Sequence, residues 1–182
     1  MAKNPRTYFA TASLDYAPDI AKALGEIIIA WSYSEFVTLA LFQSLTDRSY
    51  GECAAIFGSI PTFDGRVRLI KNIAKSSGKK DEHERIFTAL EGLRGLGATR
   101  NSYVHQSWTA NADGTETVTF NYLEPKGSPG RRREIKAHDL LNHAEAVRRK
   151  ATNLCNEILN VFPRALIEAP TSIPILRVPK KA

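Results

Sequence analysis

The segment Arg100-Asn101-Ser102-Tyr103-Val104-His105 holds the residue types and spacing best suited to chemistry in this chain. It pairs a guanidinium that is always charged with an imidazole that titrates near neutrality. Together those groups suit the cleavage of a ribonucleotide phosphodiester without a metal. The ribose 2′-hydroxyl attacks the adjacent phosphorus. One group removes its proton and another protonates the departing 5′-oxygen, and histidine can serve in either role. Charge that builds on the phosphoryl oxygens is met by the fixed donors of the arginine. Asn101 lies four residues before His105, on the same helix face. Arg100 lies five before it, roughly 140° around an ideal helix, so the two need not converge within one chain. A symmetric dimer would bring two Arg100–His105 sets around one cleft and supply two imidazoles.

A long helix must carry this segment. Ile86, Leu90, Leu93, Gly97, Arg100 and Val104 recur at helical spacing. Asp81, Glu82 and Glu84 put negative charge at its start, where the helix dipole favours it. Gly92, Gly95 and Gly97 sit inside it, although each costs about 1 kcal/mol against alanine. Either another helix approaches closely there, or the backbone is irregular near the motif.

Upstream, Pro18 and Asp19 open a first helix that runs to about Leu45, with Ile20, Leu24, Ile27, Trp31 and Leu39 in phase. A turn over Asp47–Gly51 leads to a second helix, Glu52–Phe57, broken by Gly58, Ser59 and Pro61. Asp64 is the expected cap of a third, which carries Val67, Ile70 and Ala74. After His105 the period changes. Trp108–Asn111 and Thr117–Leu123 read as strands, with Asp113-Gly114 as the turn between them. Arg133–Lys136 reads as a third short strand. Asp139 then caps a last long helix with Leu140, Val147, Leu154 and Ile158 in phase. The expected fold is mostly α: an antiparallel helical bundle over residues 1–169, with a small β-hairpin or short sheet inserted at roughly 107–136, before the last long helix. Residues before Asp15 read as a loose arm. Residues 170–182, with three prolines and two terminal lysines, read as an extended basic tail suited to recruiting a partner.

Composition narrows the class. A chain of 182 residues with 43% hydrophobic content has enough apolar material for one globular domain. A net charge of +6 favours an anionic partner, with nucleic acid first. The two cysteines, Cys53 and Cys155, each lie in an apolar helical pattern and read as buried thiols in a reducing compartment. The N-terminal residues lack an apolar signal core. The run Ile27–Leu45 is interrupted by Ser32, Ser34, Glu35, Thr38 and Gln43 and reads as a core helix, so the expectation is a cytoplasmic protein with no membrane partner.

Arg100, Asn101 and His105, placed at the end of a late helix in a small basic bundle, resemble the signature of the HEPN superfamily (higher eukaryotes and prokaryotes nucleotide-binding domains). That signature is Arg-x(4–6)-His with a polar residue after the arginine. The preceding helices fit the resemblance as architecture over roughly residues 18–165. The resemblance implies a homodimer whose interface forms a metal-independent endoribonuclease site, cutting RNA by 2′-hydroxyl attack. It also implies a toxin-like or antiviral setting, with an antitoxin or other protein as a possible partner. The roles implied are His105 as general acid/base, Arg100 on the scissile phosphate and Asn101 positioning it. Many members are noncatalytic and bind nucleotide, RNA or a protein, which is the alternative reading. The segment from Trp108 to Lys136 departs from the minimal bundle.

Several residues join these as candidates. Glu35 falls on the apolar phase of the first helix, where a carboxylate wants a cation; it either orients Arg100 or makes an ordinary ion pair with Arg100 or Arg94. Tyr103 is a base-stacking candidate or a core aromatic. Arg131, Arg132 and Arg133 follow a flexible Gly/Pro/Ser loop and either track a phosphate backbone or are a solvated run. His138 and His143 are five apart, which does not suit a one-face metal pair, and no cofactor motif is present. No metal and no cofactor are expected.

Overall fold

A computed structural model describes residues 8–10, 14, 15, 17–78, 83–105, 107–111, 117–120 and 133–163, the strands chiefly by their backbone. The described chain is mostly helical. In order, it comprises β1 (Tyr8–Ala10), α1 (Pro18–Thr46), α2 (Tyr50–Gly58), α3 (Phe63–Ser76), α4 (Glu84–Arg94), α5 (Gly97–Val104), β2 (Ser107–Asn111), β3 (Thr117–Phe120), β4 (Arg133–Glu134) and α6 (Ala137–Val161).

Local chemistry sets most helix ends. Pro18 occupies the first turn of α1, where its missing N–H costs nothing, and Asp19 meets the positive end of the dipole. Asp47, in the left-handed region at φ 52°, stops the helix. Ser49 and Glu52 form a reciprocal capping box for α2. Two expected caps are displaced. Thr62, not Asp64, caps α3, its hydroxyl accepting from Gly65 N at 3.1 Å. Asp64 lies in the first turn instead, with its carboxylate committed to arginines. Lys136, not Asp139, is the capping position of α6; Asp139 accepts from the Lys136 N–H at 3.3 Å.

The single late helix expected from the sequence is two. α4 ends at Arg94, and α5 starts at Gly97 after the turn Gly95-Leu96. Both explanations of the glycines apply, at different positions. The backbone is irregular at Gly95. At Gly97 a Cβ would sit 3.2 Å from Cη2 of Trp31, tighter than a side chain normally tolerates. Within the expected loose arm, Tyr8–Ala10 is instead a strand, paired antiparallel with β2; the rest of the arm before Leu14 lies outside the described residues. The sheet is antiparallel throughout in the order β1-β2-β3-β4, with Trp108 opposite Thr119 and Val118 opposite Glu134.

α1 packs along α6, and α2, α3 and α4 close around them. The main core gathers Val37, Leu41, Phe42, Ile70, Leu90 and Leu154. A second cluster joins Ile20, Ile27, Tyr103, Ile135 and Leu140 at the other end of α1. α1 has the length and hydropathy of a membrane span; here it supplies buried side chains to both clusters. Its polar residues Ser34 and Thr38, also buried, are satisfied by backbone carbonyls one turn back, at 2.9 and 2.7 Å. Cys53 and Cys155 are buried free thiols.

His143 is buried against the second cluster through Tyr103. Its ring meets Tyr103 edge-on at 5.4 Å, and its buried Nε2 has no hydrogen-bond partner among the described residues. Burial pushes its imidazole below the ordinary histidine value of 6.5. The unfolded chain therefore binds the proton more readily than the native state. Stability is highest above pH 6.5 and falls as acidification proceeds from there toward the native value. Urea unfolding at pH 7.5 and 5.5 should show a drop in midpoint that His143→Gln reduces. An equal drop in the variant assigns the loss to other groups.

Candidate active site

α5 is a short helix, and its end decides the site. The last helical residue is Val104; His105 is the cap, at φ −102° and ψ 8°, and its N–H still donates to Asn101 O at 3.0 Å. His105 thus keeps its place on the helical screw, roughly 140° from Arg100, and the long arginine closes the gap. Arg100 Nη1 donates to Asn101 Oδ1 at 3.0 Å and lies 3.4 Å from His105 Nε2. The three residues meet within one chain, which their spacing alone did not require. Asn101 and His105 are exposed, while Arg100 is half-buried.

Trp31 holds the guanidinium from below. Arg100 Cζ lies 5.6 Å from the indole centroid, within cation–π range. The indole is itself fixed. It is 4% exposed, Phe63 meets it edge-on at 4.8 Å, and Gly97 lets its rim approach α5. The sequence placed Trp31 only on the apolar stripe of the first helix; no local pattern reveals a contact across 69 residues. Gly97→Val would force a branched side chain against this indole, with an expected cost of about 1–3 kcal/mol. Chemical denaturation checks the cost. Weaker RNA binding by the same variant checks the loss of Arg100 placement.

These residues open onto a cavity of about 810 Å³, within the roughly 300–1,000 Å³ typical of small-molecule pockets. Trp31 and Glu35 line it from α1. Pro61–Asp64 and Arg68 line it from the start of α3, and Glu91, Arg94 and the α4–α5 turn complete the wall. Its charges are unevenly paired. Asp64 binds Arg94 at 2.5 Å and Arg68 at 3.0 Å. Glu91 binds Lys71 at 2.6 Å and Arg94 at 3.1 Å. The Lys71 hydrogen bond, with help from Arg94, holds the Glu91 carboxyl below the usual range, and Asp64 raises the Arg94 guanidinium. Glu35 binds Arg66 at 2.9 Å. Among the described residues, Arg100 alone of the cavity's arginines has no carboxylate within ion-pair distance, and its Nε is buried without a hydrogen-bond partner. An unneutralised guanidinium beside an exposed imidazole is equipped to take an anion.

Other sequence candidates fall elsewhere. Glu35 lines the cavity, but its cation is Arg66 from α3, not Arg100 or Arg94. Arg66 is anchored there by the carbonyls of Phe57 and Ile60, each 3.1 Å from its Nε. Tyr103 is 5% exposed in the second core cluster and presents no face to a base; two residues from His105, it lies roughly 200° around the helix. Arg133 contributes backbone to β4. Arg131 and Arg132 lie outside the described residues, as does the tail from residue 164. Arg68, Arg94 and Asp64 are cavity residues that sequence reasoning missed as a group; the only local hint was acid at the start of α3. Comparison with protein-family models, curated proteins and solved structures finds no match to this chain.

Proposed function

We propose that this chain is a metal-independent endoribonuclease of HEPN type, with a helical bundle of that family and a short sheet inserted before its last helix. The observation that carries the reading is the meeting of Arg100, Asn101 and His105 in the lining of a cavity, with no carboxylate paired to the arginine among the described residues. Arg100 takes the non-bridging oxygens of the scissile phosphate and stabilises the charge that grows on them. Asn101 fixes the guanidinium through its side-chain oxygen. His105 moves the proton to or from a ribose oxygen. The products are a 2′,3′-cyclic phosphate and a 5′-hydroxyl.

One chain brings one such imidazole, and the reaction transfers a proton at each of two oxygens. A homodimer supplies the second. The face of α1 next to Trp31 and Glu35 suits that contact: Ile28 stands 48% exposed there, roughly 60° around the helix from Trp31. A toxin-like or antiviral role in the cytoplasm, restrained by an antitoxin or other protein partner, fits an RNase of this kind.

The test is RNA incubated with the full-length protein in chelator, with products resolved by end-group chemistry and mass by sedimentation. Cyclic-phosphate ends released by a dimer support the reading. RNA that is bound but left whole favours the alternative, a noncatalytic module that uses the same unpaired arginine to hold nucleotide, RNA or an acidic partner.

A further inference from the structure

The cavity beside Arg100 holds more hydrogen-bond donors than its own acceptors use. Asp64 and Glu91 are met by three cations, Arg68, Lys71 and Arg94. Arg68 reaches Asp64 through Nε alone, and both of its terminal nitrogens are without a partner among the described residues. Arg94 spends Nε on Asp64 and Nη1 on Glu91, which leaves Nη2. Arg68 is also 69% exposed at its side chain, and Arg94 39%. The two guanidiniums are therefore oriented by buttressing carboxylates and keep free donors toward solvent at a cavity wall, in a cluster that Lys71 leaves with one positive charge more than its two carboxylates. Fixed forks with spare N–H groups match the oxygens of a phosphate. A nucleobase edge would find the carboxylate oxygens here already engaged.

We propose that Arg68 and Arg94 form a second phosphate subsite, which holds a phosphate next to the scissile one on the same RNA strand. The assignment rests on the RNA-cleaving reading of the Arg100 end. It gives the strand a path across the cavity, from Arg100 to the start of α3, and makes the substrate at least two phosphates long.

The experiment is binding of 2′-O-methylated oligonucleotides, which cannot be cut by 2′-hydroxyl attack, to the full-length protein. A dinucleoside monophosphate has one phosphate and a trinucleoside diphosphate has two. Arg68→Gln should weaken the two-phosphate ligand and lower the slope of its log affinity against log salt by about 0.7, the value for one contact on a single strand. The one-phosphate ligand should bind the variant as it binds the wild type. Arg85→Gln, an exposed arginine paired with Glu157 outside the cavity, should change neither. Arg68 is exposed enough that its loss leaves the fold intact, as a circular-dichroism melt would verify. Equal loss for both ligands, no loss for either, or failure of the wild type to prefer the longer ligand overturns the subsite. Failure of the nuclease reading appears separately, as intact unmodified RNA after incubation with the wild type.

Discussion

Replacing His105 by alanine is expected to reduce RNA cleavage in chelator by about 10²–10⁴-fold, the usual contribution of a positioned general acid or base. The argument is geometric. His105 caps α5, is exposed, and lies 3.4 Å from Arg100, so its imidazole is where a phosphate held by that arginine would present its ribose oxygens. The same exposure separates chemistry from folding. Surface changes of this kind usually alter stability by no more than about 0.5 kcal/mol. A melt that matches the wild type, with cleavage lost, assigns the loss to catalysis. Binding of 2′-O-methyl RNA should persist, since the arginines remain. If His105 works as acid in one subunit and base in the other, wild-type rates follow a bell against pH and the residual activity of His105→Ala does not. Cleavage undiminished in the variant removes His105 from the mechanism.

Arg100→Lys is the second large effect. Charge is kept, yet the planar fork is lost, and a lysine cannot lie over the Trp31 indole while reaching Asn101 in the same geometry. Loss of one donor aimed at developing charge typically costs about 10²–10³ in kcat. We expect kcat to fall by that order while KM rises far less, because the retained ammonium still attracts the phosphate in the ground state. Arg100→Gln, without the charge, should raise KM as well. The contrast between the two variants is the informative measurement. Equal damage to kcat and KM in Arg100→Lys would assign the arginine to uniform binding instead of the transition state. The fold should tolerate both changes, since no carboxylate is stranded by removing Arg100; the pocket acids have other cations.

The helices were legible because their signals are local. Pro18 and Asp19 start α1, Ser49 and Glu52 bracket the start of α2, and apolar side chains at helical spacing mark the buried face of α6. Cap positions at Asp64 and Asp139 were misplaced by two or three residues because an acid near a helix start serves equally as a cap, as a first-turn charge or as an ion-pair partner. The third use won at Asp64, where Arg94 and Arg68 are both in reach. The strand at Tyr8–Ala10 escaped notice because three residues carry no period; only pairing with β2 defines it.

The candidate site divides along the same line. Arg100, Asn101 and His105 are legible as a group because five consecutive peptide links fix their separation within a turn and a half of helix. Their convergence is not: His105 sits roughly 140° around the helix from Arg100, and the reach of a guanidinium seated over Trp31 brings Nη1 within 3.4 Å of the imidazole. Trp31 beneath the guanidinium, the Arg68–Asp64–Arg94 wall and the burial of Tyr103 are properties of packing between elements distant in sequence. Glu35 illustrates the point. Its helical phase demanded a cation, and sequence could name candidates, but only the docking of α3 on α1 selected Arg66. Residue order determined which groups were available for chemistry; tertiary contacts determined which charges neutralise one another, and so left Arg100, alone of the cavity's arginines among the described residues, without a carboxylate.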